Sequence, residues 1–367
     1  MKQLKISLLT TLAFLILVSA QAQKVKRYLY VVTPGVRNYL GYGGHGINVF
    51  DIDDNHRFVK FIATPGGMKA DGTTVSNVKG VDVSLATNAI YISTLEAIQC
   101  YDLTTNQLRW EKQYEGGVDR ISISPDGGTI YAPSLEKEFW NVLDAKTGDI
   151  ITKIVTNSGS HNTIYGPDGK YVYLAGLKAP MLNVADAKTH KIVKQVGPFT
   201  AAIRPFTING KQTLAYVNVN GLLGFEVGDL VTGKMLHRVT VEGFLVNDVK
   251  RHGCPSHGIG LTPDERELWL CDGANERLHV FDNTVMPPVQ KTTIRVRDMP
   301  GWITFSADGK YAYPSTGDVI DVKTRRIVAT LEDADHNAVQ SEKMVEIHFQ
   351  NGKAVAMGDQ FGIGDVR

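Results

Sequence analysis

Three cysteines in 367 residues are too few, and odd in number, for a disulfide framework. Cys254 and Cys271 form the one pair close enough along the chain to consider bridging, and only in an oxidising compartment. Charge of one sign is also missing: 39 Lys and Arg stand against 38 Asp and Glu, with no basic run or stripe. That balance excludes the electrostatic footprint by which nucleic-acid binders show themselves. After the first twenty residues no apolar run approaches the roughly 20 residues needed to span a bilayer, so no membrane span is expected. Gly-x-Ser-x-Gly and Cys-x-x-Cys-His are both absent, which disfavours a Ser-His-Asp hydrolase and a cytochrome.

The N-terminus is different in kind. Lys2 and Lys5 precede an apolar run from Ile6 to Val18, followed by Ala20-Gln21-Ala22, the small-x-small form of a cleavage site. Residues 1–22 therefore read as a secretory signal peptide, and the mature protein as exported, periplasmic or secreted. Without Lys2 and Lys5 the mature chain carries 37 basic against 38 acidic residues.

Residues 23–367 show no linker, low-complexity stretch or composition shift, but they do repeat. The segment 121–131 alternates apolar and polar residues, turns at Pro125-Asp126-Gly127 and alternates again, which is a strand, tight turn, strand unit. Segments 163–173, 259–269 and 303–313 copy it closely, and 81–91, 206–215 and 345–356 more weakly. Aligned at the turn, the anchors are Leu85, Pro125, Pro167, Ile208, Pro263, Ala307 and Gln350, so the steps are 40, 42, 41, 55, 44 and 43 residues. Each copy continues into a third strand such as residues 140–144 or 278–282, a polar turn such as Lys146-Thr147-Gly148, and a fourth strand such as 150–155. Four strands in about 42 residues match a propeller blade.

The expected fold is all-β, a seven-bladed β-propeller with four-stranded blades, closed by pairing of the N- and C-terminal strands. Residues 28–32, 47–52 and 58–62 lack an inner strand, which 345–349 can supply. Either the N-terminal segment or residues 354–357 could provide the second strand of that shared blade.

The Ser-Pro-Asp-Gly turns, the Val-Phe-Asp and Val-Leu-Asp third strands and Tyr30-Val31-Val32-Thr33 resemble the YVTN-type β-propeller repeat family over essentially the whole mature chain. The resemblance implies the fold. It does not select among the binding proteins, lactonase-like enzymes and quinoprotein subunits built on it, because fold does not fix chemistry.

A site on this fold is expected where the inner strands begin, around the channel mouth. The residue six before each turn anchor gives Lys79, Asp119, His161, Ala202, His257, Gly301 and Met344, and their neighbours add Arg120, Asn162, Arg204 and Trp302. A structural ring would repeat one small residue. Here the turns repeat and the mouth does not. The 55-residue step places extra chain with Lys250, Arg251, His252 and Cys254 just before His257. The loop from Thr33 to His45 adds Arg37, Tyr39 and Tyr42, and its glycines lack the spacing of a phosphate-cradling loop.

Three chemistries fit these residues. In the first, an anionic ligand such as a uronate-containing oligosaccharide is bound and acted on, as in a lyase. His161, His257, Asp119 and Tyr42 would move or orient protons, Arg120, Arg204, Arg37 and Lys79 would hold the anion, and Tyr39 and Trp302 would form the rim. In the second, His45, His161, His252 and His257, with His336 as a further candidate, would ligate a divalent or transition metal as in a metal-dependent oxidoreductase or quinoprotein-like subunit. In the third, the face binds a ligand or protein partner without catalysis. A closed propeller needs no oligomeric partner to bury its edges, so a monomer suffices.

Overall fold

The computed structural model describes residues 25–69 and 71–366. The segment 1–22, read as a leader, lies outside the described residues. The described residues form seven antiparallel sheets around one axis, a seven-bladed β-propeller. Blade 1 comprises Val78–Ser84, Ala89–Thr94, Ala97–Asp102 and Leu108–Gln113, from axis to rim. Blades 2 to 6 follow the same order, and their inner strands are Ser122–Ile123, Ser160–Tyr165, Ile203–Ile208, Ser256–Leu261 and Ile303–Phe305.

Blade 7 closes the ring. Its inner strand, Met344–Gln350, pairs with the N-terminal Lys26–Thr33, placing Val345 opposite Tyr30, and Gly46–Asp51 and Arg57–Ala63 complete it. The N-terminal segment therefore supplies the second strand. Lys353–Met357 adds a fifth strand on the other side of Met344–Gln350, through an Asn351-Gly352 turn in which both residues take positive φ. That turn is the preferred two-residue hairpin connection.

Burial follows the position of a strand in its blade rather than the alternation: Ser122 and Ser124 are buried like Ile121 and Ile123. Inner strands are enclosed on all sides, so Ser160–Tyr165 is buried at every position, whereas the outer Ile150–Val155 buries only Ile154. The cores lie between blades: Tyr131, Trp140 and Val142 of blade 2 pack against Tyr165, Val172 and Leu174 of blade 3. The aspartate ending each third strand has a local task. Asp102, Asp144 and Asp229 each accept hydrogen bonds from the backbone N–H groups two and three residues on, closing the polar turn. All three cysteines are buried free thiols, so Cys254 and Cys271 do not pair.

After Met357 the chain does not leave the ring. Residues 358–365 cross the turn end of the channel from blade 7 past blades 6 and 5 to blade 4. The Gln360 carbonyl accepts from Trp302 Nε1 at 2.7 Å, and Gly362 O accepts from Leu261 N at 2.8 Å and Thr207 Oγ1 at 2.6 Å. Gly364 N then donates to Ile208 O and Asp365 N to Pro263 O. Phe361, 3 % exposed, packs into the core that holds Phe206, Val219 and Trp302. The tail thereby spans part of the turn end of the channel, and a cavity remains beside it, lined by turn residues of blades 1, 2, 3, 5 and 6.

Candidate functional site at the channel mouth

The mouth residues fall into two linked groups because each starts an inner strand and the strands converge on the axis. In the first group Asp119 is fully buried, with Oδ2 2.5 Å from His161 Nδ1 and Oδ1 3.3 Å from Lys79 Nζ. Burial by itself raises the Asp119 carboxyl, but its interaction with the His161 ring at Oδ2 and the charges of Lys79 and Arg120 outweigh it and hold the group well below the usual range. Burial lowers His161, against the opposing pull of Asp119, so the imidazole is neutral near pH 7. With Asp119 at Nδ1, its basic lone pair sits on Nε2.

The second group centres on Glu342. Its Oε2 lies 2.6 Å from Arg120 Nη2 and 2.7 Å from Lys343 Nζ, and its Oε1 lies 3.3 Å from His252 Nδ1. Burial raises Glu342, but Lys343, His252 and Arg120 overcome this and leave it well below the ordinary carboxylate value. Burial also pushes Lys343 down to about 7, against the raising effect of Glu342. His252 and His257 stack with ring centres 4.6 Å apart, and His257 Nδ1 lies 2.7 Å from the Gly301 carbonyl. Burial lowers both histidines. Arg120 joins the groups: its guanidinium lies 4.2 Å from the Trp302 ring and 3.9 Å from Asp119. Several buried polar atoms here have no hydrogen-bond partner, namely Asp119 Oδ1, Arg120 Nε, Asn162 Nδ2 and Oδ1, and His252 Nε2.

The structure corrects several sequence expectations. The four histidines His45, His161, His252 and His257 do not converge. His45 is half-buried beside Gly66 and Glu111 at the edge of blade 1, and His161 is committed to Asp119. His336 is exposed and pairs with Glu332. Only His252 and His257 come together, with Glu342 as their third member. Trp302 is not a rim residue: it is 2 % exposed, pinned between Arg120 and the C-terminal tail. Arg204 is engaged within the protein. It donates from Nε to Asn220 Oδ1 and from Nη2 to the Gly253 carbonyl, tying down the insertion. Arg37 likewise donates to the Arg251 carbonyl. Tyr39 is exposed at the surface, and Tyr42, whose hydroxyl lies 3.5 Å from Arg251 Nη2, borders the loop that carries His252.

Glu342 and Lys343 were missed because the residues considered beside each mouth position were those immediately after it, and these two immediately precede Met344. A window extending both ways along each inner strand would have found them. The tail was missed because nothing in residues 358–365 marks them as channel-filling.

Comparison of the sequence with protein-family models and with curated proteins gave no match. The fold supports ligand or protein binding. Among the described residues no helix is long and apolar enough to cross a membrane. The cavity beside the tail, about 360 Å³, is lined by apolar residues such as Leu85, Tyr165, Phe305 and Phe361 together with Asp82, Asp359 and Asp365, and contains none of the mouth residues.

The Asp119 and His161 pairing yields a signed expectation. His161 should titrate below 6.5 by NMR, because burial dominates, and lower still in Asp119→Asn, because the variant removes the charge that opposes burial. A midpoint that rises in the variant would show that Asp119 does not act on this imidazole. Because the folded value is depressed, this histidine's contribution to stability is complete above 6.5 and is lost as the pH falls through the folded value.

Proposed function

We propose that this exported, YVTN-type propeller binds a carboxylate-bearing ligand, a uronate-containing oligosaccharide or a close chemical relative, at the channel mouth and acts on it by proton transfer. The observation that carries the reading is the set of buried, unpartnered donors, Arg120 Nε and Asn162 Nδ2, beside an Asp119 and His161 pair whose imidazole is neutral. Buried donors without partners are costly unless a ligand or water meets them. Arg120 and Lys79 supply the positive charge for the ligand carboxylate. His161, oriented by Asp119, removes through Nε2 the proton next to that carboxylate. The electron pair moves into a new carbon–carbon double bond as the adjacent carbon–oxygen bond breaks, and Tyr42 returns a proton to the departing oxygen. Arg120 stabilises the charge that develops on the carboxylate during the step.

Calorimetric titration with uronate oligosaccharides against neutral oligosaccharides of equal length tests binding, and ultraviolet absorbance of the unsaturated product tests elimination. We expect uronate-selective binding that weakens at least about tenfold in Lys79→Gln, equivalent to the loss of about 1.4 kcal/mol. Elimination should disappear in His161→Gln while binding persists. Equal affinity for neutral and acidic sugars would end the anion reading; binding without product would leave a non-catalytic receptor, the second reading. That reading is favoured by Leu245 and Val246, 79 % and 59 % exposed on the insertion beside the mouth.

A further inference from the structure

His252, His257 and Glu342 reach the channel axis from three different places: the insertion, the start of the blade 5 inner strand, and the chain just before the blade 7 inner strand. We infer that these three side chains bind one divalent first-row transition-metal ion, of the zinc or iron class. One ligand atom from each lies within 4.8 Å of the others. Metal bonds of about 2.0–2.2 Å to imidazole nitrogen and carboxylate oxygen hold neighbouring donors roughly 3–3.5 Å apart. His252 Nδ1 and Glu342 Oε1 already stand 3.3 Å apart, so closing the site requires the remaining separations, at most 4.8 Å, to shorten by up to about 1.5 Å.

The surroundings prepare each ligand. His257 donates from Nδ1 to the Gly301 carbonyl, which puts the proton on that nitrogen and the lone pair on Nε2. An imidazole fixed through its other nitrogen by a carbonyl is the usual outer-shell arrangement of a metal-binding histidine. Glu342 is held in the same way: Arg120 and Lys343 both engage Oε2, which leaves Oε1 on the side of the histidines. His252 Nδ1 faces Glu342 Oε1 at 3.3 Å, and its Nε2, a buried atom, has no hydrogen-bond partner.

Gly301 is the fourth element. A Cβ at that position would lie 2.1 Å from His252 Cε1, 2.3 Å from Nε2 and 2.5 Å from Glu342 Oε1. Only glycine therefore lets the insertion bring His252 against the carboxylate. This also accounts for a glycine, rather than a larger residue, two positions before the blade 6 inner strand.

The charges nearby choose the ion. Arg120 and Lys343 offset the single carboxylate, so a cation that relies on carboxylate charge, Mg²⁺ or Ca²⁺, gains little here. A metal that bonds strongly to imidazole does not depend on that charge. Two imidazoles and one carboxylate leave coordination positions open, as in sites that bind a further ligand. Neither Lys79, Asp119 nor His161 is a ligand, so the site stands whether or not the carboxylate reading is correct.

The test uses tag-free, chelator-treated full-length protein, titrated with Zn²⁺ by calorimetry and with Co²⁺ by visible absorption. We expect one equivalent of Zn²⁺ and a Co²⁺ ligand-field spectrum, with Mg²⁺ and Ca²⁺ producing neither. His252→Ala, a loop substitution whose folding is checked by circular dichroism, should weaken Zn²⁺ at least roughly 100-fold. Gly301→Ala should weaken it too, although it removes no ligand. Failure of the folded wild-type protein to take up one equivalent of either ion, or unchanged uptake by folded His252→Ala, would overturn the assignment.

Discussion

Replacing Glu342 with alanine should lower the stability of the propeller by about 3–5 kcal/mol at neutral pH, the cost of breaking a buried ion pair from one side. Arg120 and Lys343 are 2 % and 3 % exposed, and both have Glu342 Oε2 as a charge partner within 2.7 Å. Without the carboxylate, a guanidinium that cannot deprotonate remains buried with no hydrogen-bonded counter-charge. Glu342→Gln should cost less, because its amide oxygen can still accept from Arg120. Urea denaturation of metal-free protein measures both. The pH dependence follows from the direction of the Glu342 shift. Its folded value lies well below 4.5, so the contribution is complete above 4.5 and is lost as the pH falls further. Wild type and Glu342→Ala should therefore converge in acid. A loss below about 1 kcal/mol at neutral pH would mean that water, rather than Glu342, compensates Arg120.

The second large effect is expected from ending the chain before Gly358. The deletion removes Phe361 from a closed core, which by itself costs about 3–5 kcal/mol, as for other buried Phe side chains. It also strips acceptors from Leu261 N, Thr207 Oγ1, Thr304 Oγ1 and Trp302 Nε1, donors on the inner faces of three blades. The midpoint of unfolding should fall accordingly, and Trp302 emission should shift to the red as water enters from the turn end. Phe361→Ala keeps the backbone bonds and separates the two contributions: it should reproduce most of the stability loss with little of the spectral shift. A truncated protein as stable as the full chain, with unshifted emission, would show that the tail merely rests on the channel.

The propeller was legible in residues 121–131 and their copies because every blade solves the same local problem. A buried inner strand must alternate less than an exposed outer one, and each turn needs its Pro-Asp-Gly or Asp-x-Thr hydrogen bonds. Counting back six from each turn reached residues that the fold does bring together, Asp119 with Lys79 and His161. What those residues touch was not legible. Trp302 reads as a surface aromatic until Phe361 and Gln360 arrive from the other end of the chain. Arg204 reads as an anion clamp until the insertion presents the Gly253 carbonyl.

The sequence by itself determined the number of blades and the strand order within each, because these depend on spacing and on contacts a few residues apart. Tertiary structure alone decided that Lys26–Thr33 is the second strand of the closing blade and that residues 358–365 cross the turn end of the channel. It alone decided that Glu342 meets Arg120, 222 residues away, and the histidines of the insertion and blade 5. Those contacts depend on the ring closing, which brings segments distant in the chain to one axis and leaves no period in the sequence to announce them.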